Sequence, residues 1–300
     1  MKLITDDPLS QALSATAKAI ERKLDVLLPV PEGPEGRVVD AMRYALFAGG
    51  KRLRPFLVLA SADLFEVSRD SALRVAAAIE CVHTYSLIHD DLPAMDDDDV
   101  RRGQPTVHKA FDDATAILAG DGLLTFAFHI LADDRTHPDP RVRCELIQSL
   151  AQAAGHHGMV GGQMIDLAAE NNPLSQHEIS RLQQLKTGAL ICFSAEAGGI
   201  LGRTTEHHRH SLIGYARALG LAFQIADDLL DVEGDEQTVG KATGKDADAG
   251  KATFVSLMGV DRARQQAKLL ADQAIDHLQD FGERAALLRA VAHFVVDRDK

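Results

Sequence analysis

The chain has 300 residues, 46% of them apolar and only 5% aromatic, with a formal net charge of −12. That length supports a sizeable core, and the negative balance argues against nucleic acid and anionic membrane surfaces as partners. Three cysteines, Cys81, Cys144 and Cys192, stand far apart without the paired spacing of a zinc or redox site, and read as small core residues in a reducing cytosol. The N-terminus MKLITDDPLSQAL lacks a basic start followed by an apolar run, and no uncharged segment is long enough to span a bilayer. A cytoplasmic protein without membrane insertion is expected. Abundant Ala and Leu, with no sustained period-two alternation, predict an all-α fold. No repeat, low-complexity tract or linker divides the chain, so residues 1–300 read as a single domain.

Apolar positions at three- and four-residue steps predict a first helix over Pro8 to Leu28, stopped by the turn-rich PVPEGPEG. A second helix, Arg37 to Ala48, ends at Gly49-Gly50, and a third begins near Pro55. Between them stand Lys51, Arg52 and Arg54, cations on a glycine-kinked connection beside a helix N-terminus. Free backbone N–H groups and basic side chains in such a place suit an anion, although basic residues in a connection are more often simply solvated.

The helix predicted from Ser71 to Leu92 carries the apolar positions Val75, Ala78, Ile79, Val82, Tyr85 and Ile88, and then runs into six aspartates: Asp90, Asp91, Asp96, Asp97, Asp98 and Asp99. Like charges that close destabilise one another unless cations bind them. Six residues rotate a regular helix by about 600°, which places Asp90 and Asp96 on different faces. Pro93 supplies the bend or helix end that both need to reach one cation cluster. Tyr85 and Ser86 lie about one turn before Asp90, where the tail of a ligand held at Asp90 points. Arg101 and Arg102 follow the aspartates, and by themselves read as surface charge pairing.

Further helices are expected over Asp113 to Ala132, Arg141 to His157, Ser175 to Leu201 and Glu206 to Val232, separated by DDRTHPDP, GGQMIDLAAENNP and GRTT. Ser175 to Glu178, SQHE, reads as a capping box. Lys186-Thr187-Gly188 puts a cation, a hydroxyl and a glycine inside a helix. Such a glycine costs about 1 kcal/mol relative to alanine, which hints at a close approach. His207, His208 and His210 lack a carboxylate or cysteine at ligand spacing and read as a solvated turn. A second acidic cluster follows in FQIADDLLDVEGD: Asp227 and Asp231 share a helical face, with Asp228 beside them. Hard oxygen ligands of this kind suit Mg²⁺ that completes its shell with water and substrate phosphate. The glycine- and lysine-bearing stretch after Asp231, with Lys241, Lys245 and Lys251, reads as a lid. Two last helices, about Asp261 to Gln279 and Glu283 to Val296, lead to the tail DRDK.

Taken together, GGKRLRP at 49–55, HTYSLIHDDLPAMDDDDVRRGQPTVH at 83–108, KTG at 186–188, FQIADD with its following LLD at 223–231, and GK…GKD…K beyond them resemble the trans-isoprenyl diphosphate synthases. The likeness is greatest to the short-chain bacterial farnesyl diphosphate synthases, and it covers nearly the whole chain. It implies a helical bundle around a deep central cavity, with the two Asp-rich motifs facing each other across its mouth, and usually a homodimer. The implied reaction is Mg²⁺-dependent prenyl transfer, which condenses isopentenyl diphosphate with dimethylallyl or geranyl diphosphate to farnesyl (or geranyl) diphosphate and pyrophosphate. It proceeds by ionisation, condensation and elimination.

Carried over by motif, the resemblance assigns Mg²⁺, three ions with the allylic diphosphate, to Asp90, Asp96 and Asp227, with Asp91, Asp228 and Asp231 supporting them directly or through water. Lys51, Arg54, His83 and Arg102 would bind the diphosphate of isopentenyl diphosphate. Arg101, Lys186, Lys241 and Lys251 would bind the allylic diphosphate, and Thr187 and Gln224 would turn oxygen dipoles toward the developing cation. The lid, with the tail residues Arg298 and Lys300, would close over bound substrates. Tyr85, with the small Ser86, would form the floor that sets product length. Three alternatives stand beside this one. His89-Asp90 with His83 and His108 fits a metal phosphohydrolase but leaves the second acidic cluster and the lysines idle. A class I terpene cyclase has no need of a second diphosphate site. A partner subunit keeping only the fold is at odds with aspartates intact in both motifs.

Overall fold

The computed structural model describes residues 7–169, 174–233 and 253–297, and is helical apart from one two-stranded ribbon among these residues. The chain forms two compact units, residues 1–148 with 200–203, and residues 149–199 with 204–300.

In the first unit, α1 (Pro8–Leu27), α2 (Gly36–Leu46) and α3 (Leu53–Asp63) precede the long α4 (Arg69–Asp90). Asp7 caps α1, its carboxylate accepting from the Ser10 N–H. The ribbon pairs β1 (Val100–Arg101) antiparallel with β2 (Gln104–Pro105). Its two connecting residues, Arg102 (φ 54°) and Gly103 (φ 77°), are both left-handed, the pattern that suits the right-handed twist of a tight hairpin. A two-residue strand is too short to leave an alternation signal, so the ribbon is invisible to sequence periodicity. After the short α5 (Val107–Ala110) come α6 (Asp113–Ala132) and α7 (Pro140–Ala154).

α4 packs against both α3 and α6. Ala76, Ala77, Ala78, Ile79, Cys81 and Val82 are all fully buried, so the helix is core on nearly every side rather than on one stripe. Its buried Arg74 is satisfied by the Thr136 hydroxyl at 2.8 Å and by Asp133 at 3.0 Å. Helix α6 is long and apolar enough to cross a membrane by length and composition, with a mean hydropathy of 1.6, yet 44% of that stretch is buried inside the protein. It also carries Asp121, and one such helix is what the core of a globular protein provides.

The second unit holds α8 (Met159–Ala169), α9 (Gln176–Gln183), a single π-helical turn at Gln184–Gly188, α10 (Ala189–Leu201), α11 (Glu206–Glu233), α12 (Phe254–Met258), α13 (Val260–Asp276), a 3₁₀ segment (Gln279–Ala285) and α14 (Ala286–Asp297). The capping box at Ser175 and Glu178 is present as expected. Two expectations are corrected. The stretch GGQMIDLAAENNP is not a connection throughout, since residues 159–169 are helical. Its glycines serve close packing: a Cβ on Gly162 would strike the backbone of Lys186. The last two helices are separated by a 3₁₀ turn containing Gly282 at φ 53°, a conformation open to glycine. α11 packs on α13, and the fully buried Tyr215 of α11 donates its phenol proton to the Leu288 carbonyl at 2.8 Å, tying α14 to the same core.

Candidate active site

The acidic turn begins where α4 ends, at Asp90, three residues before Pro93. The chain then folds back: the Met95 N–H donates to the Leu92 carbonyl at 2.9 Å, and the Asp96 N–H donates to the Asp90 carbonyl at 2.8 Å. Asp96 is thereby returned to Asp90, the juxtaposition that a regular helix forbids. The six aspartates do not act as one group. Asp91 is buried and accepts from Arg101 Nε at 2.6 Å and Nη2 at 2.5 Å. Burial pushes the Asp91 carboxyl up, and the guanidinium opposes that shift. Asp98 lies 3.5 Å from Arg101, and Asp99 2.8 Å from Lys109, whose ammonium holds the Asp99 carboxyl below its ordinary value. Asp97, Asp99 and His108 each offer a ligand atom within 4.8 Å of the others. Asp98 and Asp99 therefore tie the acidic turn to the ribbon and to α5.

A cationic cluster lies in the same unit. Arg52 adopts a left-handed conformation (φ 48°, ψ 37°) as the N-cap of α3, at a cost of roughly 1–2 kcal/mol for a non-glycine residue. Its guanidinium is buried, with Nη1 donating to Glu80 and Nη2 to the Leu46 carbonyl. Arg54 begins α3 and Lys51 precedes it, exposed. Arg102 donates to the Gly49 carbonyl, and a Cβ on Gly50 (φ +126°) would lie 2.7 Å from the Arg102 guanidinium carbon, so the two kinked connections interlock. His83, on α4, is half-buried. Desolvation, then the charges of Arg54, Arg102, Arg52 and Arg101, hold its imidazole well below the ordinary histidine value, so it is neutral at pH 7.

Tyr85 is buried one turn below Asp90, its phenol pushed to about 12 by desolvation and by the Asp90 charge. Its ring meets His89 edge-on at 5.7 Å, and His89 bridges to the Ile117 carbonyl of α6 at 3.1 Å, across Gly120, where any Cβ would collide with the imidazole. Ser86 is tied to the carbonyl of His83 at 2.9 Å.

In the second unit, Lys186 and Thr187 sit on the π turn, and Lys186 Nζ contacts Asp166 Oδ2 at 2.6 Å. A Cβ on Gly220 of α11 would be 3.5 Å from Gly188 Cα, and one on Gly188 would be 3.5 Å from the Gln183 carbonyl, both ordinary contacts, so the close approach expected at the in-helix glycine does not demand glycine there. Gln224 follows one turn later on α11, ahead of Asp227, Asp228 and Asp231. Asp228 is buried and accepts the Phe254 N–H at 2.8 Å, so it fixes the start of α12, whereas Asp227 and Asp231 are half-buried. The carboxylate oxygens of both acidic motifs are the hard donors that Mg²⁺ prefers, and the donor set fits that ion. Lys241 and Lys251, the lid, and the tail residues Arg298 and Lys300 lie outside the described residues.

Sequence reasoning passed over Asp166, Gln163 and Glu80. Both amide atoms of Gln163 are buried without a hydrogen-bond partner among the described residues, beside the Lys186 turn. A signal existed: Gln163 and Asp166 are polar residues three apart on an apolar helix, and Glu80 is a single carboxylate in the apolar run AAAIECV.

A family model described as polyprenyl synthetase matches residues 35–293. Farnesyl diphosphate synthase of Escherichia coli (strain K12) is 44% identical over 295 residues, 97% of this chain and 99% of that protein. Its counterpart in Geobacillus stearothermophilus is 43% identical, covering 97% and 98%. Among solved structures, an apo FPP/GFPP synthase from Zymomonas mobilis superposes with a TM-score of 0.88 at 56% identity, covering 96% of this chain and 98% of that one.

Proposed function

Because the chain belongs to the polyprenyl synthetase family, we propose that it is a prenyltransferase that condenses isopentenyl diphosphate with dimethylallyl or geranyl diphosphate. The observation that carries this reading is the interlock of Arg102 with the Gly49–Gly50 connection that leads into Lys51 and Arg54, a gathering of cations beside an acidic turn. Two diphosphates of different fate need two kinds of holder. Lys51, Arg54, His83 and Arg102 hold the diphosphate that stays intact, that of isopentenyl diphosphate. As a neutral ring, His83 donates a hydrogen bond without adding charge.

The allylic diphosphate must leave. Asp90, Asp96 and Asp227 would hold Mg²⁺, three ions in this reading, and the metal would supply charge stabilisation to that leaving group. Lys186 and Arg101 orient its oxygens, with Lys241 and Lys251, and their own carboxylate partners Asp166 and Asp91 fix where the cations stand. Asp228 and Asp231 support the second motif. Thr187 and Gln224 direct oxygen dipoles toward the allylic carbon as it becomes cationic, and the double bond of isopentenyl diphosphate attacks that carbon. Released pyrophosphate accepts the proton lost from the adduct, so no side-chain base is required. Closure of the lid excludes water that would otherwise capture the cation.

Tyr85 closes the floor beneath Asp90, with Ser86 beside it, and sets a farnesyl-length product, with geranyl diphosphate as the shorter outcome. The family match, which runs across both compact units, supports a single catalytic domain over residues 1–300. The exposed Ile117 and Leu118 on α6 suit a second copy of the chain, which supports a homodimer.

The test is incubation with Mg²⁺, isopentenyl diphosphate and each allylic primer, followed by chromatography of the products. Prenyl products dependent on isopentenyl diphosphate are expected, and Asp90→Ala and Asp227→Ala should each lose at least roughly a hundred-fold in turnover. Phosphate release without chain elongation, or near-wild-type turnover of either variant at saturating Mg²⁺, would overturn the assignment.

A further inference from the structure

Glu80 and Arg52 form an ion pair with side chains 2% and 0% exposed. Burying two charges costs more than their attraction commonly returns, and apolar replacements of such pairs are often neutral or stabilising. Stability alone is therefore a poor reason for this pair to exist. Its placement suggests another reason. Arg52 is a left-handed, non-glycine residue flanked by Lys51 and followed two positions later by Arg54. One guanidinium nitrogen is held by Glu80 of α4 and another by the Leu46 carbonyl at the end of α2, while the third, Nε, has no partner among the described residues. Glu80 also lies one helical turn before His83 on α4, and its charge is felt at Arg102. A single buried carboxylate thus touches the residue that shapes the lysine–arginine loop and sits beneath the other two members of the anion site.

We propose that the buried Glu80–Arg52 pair is a positioning device for the isopentenyl diphosphate site, pinning the left-handed residue so that Lys51 and Arg54 are presented with His83 and Arg102 before substrate arrives. The inference rests on the assignment of these four residues to that diphosphate. Glu80 never touches substrate. It acts through Arg52, and its negative charge offsets a cluster of cations that would otherwise repel one another when the site is empty of anion.

Two variants separate positioning from stability. Glu80→Gln keeps shape and removes the charge, and the paired change Arg52→Met with Glu80→Leu removes both charges and restores an apolar contact. In full-length enzyme the paired change should keep a melting temperature within a few degrees of wild type, whereas Glu80→Gln leaves the Arg52 guanidinium buried without its counter-charge and should melt roughly 6–10 °C lower. Both should raise KM for isopentenyl diphosphate roughly ten- to a hundred-fold, the range seen when the partner of a ligand-holding group is lost. KM for the allylic diphosphate and kcat should move less than about threefold, a split that general damage to the fold does not produce. Calorimetric titration with inorganic pyrophosphate in EDTA reads the cationic cluster without catalysis and should weaken by a similar factor. If both variants fold and bind pyrophosphate and isopentenyl diphosphate as wild type does, the positioning role is refuted. If the variants weaken pyrophosphate binding but wild-type enzyme makes no prenyl product, the positioning role stands and the prenyl-transfer reading fails.

Discussion

Asp227 and Asp228 are neighbours in one acidic motif, yet the structure gives them different work, and a pair of substitutions tells them apart. Asp228 Oδ2 accepts the Phe254 N–H at 2.8 Å in a buried setting, at the start of α12. A hydrogen bond to a charged group contributes about 1.5–3 kcal/mol, and the orphaned N–H left by alanine adds a desolvation cost of similar size that is not fully additive, so Asp228→Ala should cost ~3 kcal/mol. Asp228→Asn keeps an oxygen acceptor and loses the charge assistance, for a cost of ~1 kcal/mol. At about 2 °C per kcal/mol for a chain of this size, the melting temperature should fall by about 6 °C for alanine and about 2 °C for asparagine. The scan is run in EDTA, so that no bound metal contributes to stability. Asp227→Ala should lose turnover while losing less stability than Asp228→Ala. A melting temperature of Asp228→Ala within 1 °C of wild type would refute this division.

His83 gives a pH signature. Its folded-state value lies below the unfolded value of about 6.5, so the unfolded chain binds the extra proton first; its share of stability is complete above that pH and is lost as pH falls toward the folded value. Urea midpoints measured from pH 7.5 downward should show a slope of up to ~1.4 kcal/mol per pH unit that is missing in His83→Gln, and identical slopes would contradict a half-buried imidazole held neutral by desolvation and nearby arginine charge. Tyr85→Ala removes the floor and should shift the chromatographic product profile to longer chains, with a stability cost of about 3–5 kcal/mol for the lost aromatic. An unchanged profile would remove Tyr85 from the ruler. Asp166→Asn should release Lys186 and weaken allylic diphosphate binding roughly tenfold while leaving KM for isopentenyl diphosphate in place, and equal shifts in both constants would argue against a local role.

Amphipathic helices such as α1 were legible because they write an apolar period into the sequence, and the end of α4, expected at Leu92 and found at Asp90, was legible to within two residues because Pro93 follows. The pairing of Val100 with Pro105 was not, since two residues per strand carry no period. The glycines of α8 were misread for a physical reason: both look like turn formers, but Gly162 is where the helix touches the backbone at Lys186 and a Cβ on Gly161 would strike the His156 carbonyl. The clustered aspartates stood out from charge and spacing and the other candidate site residues came from the family resemblance, whereas the residues that support them were not foreseen. Asp166, Glu80 and the Asp91–Arg101 contact depend on which buried surfaces meet, and a carboxylate inside an apolar helix announces that a partner exists without saying where it lies.

The π turn at Gln184–Gly188 marks the helix as one that carries an inserted residue. A π turn holds one residue more than an α turn over nearly the same rise, so the phase of everything beyond it is shifted by a single insertion. Lys186 and Thr187 therefore ride on a one-residue surplus stored in an otherwise continuous rod from α9 to α10. Removing one residue from that turn leaves a regular helix of the same course, with its outward chemistry rotated away, so the reactive presentation and the scaffold are separable in a single codon.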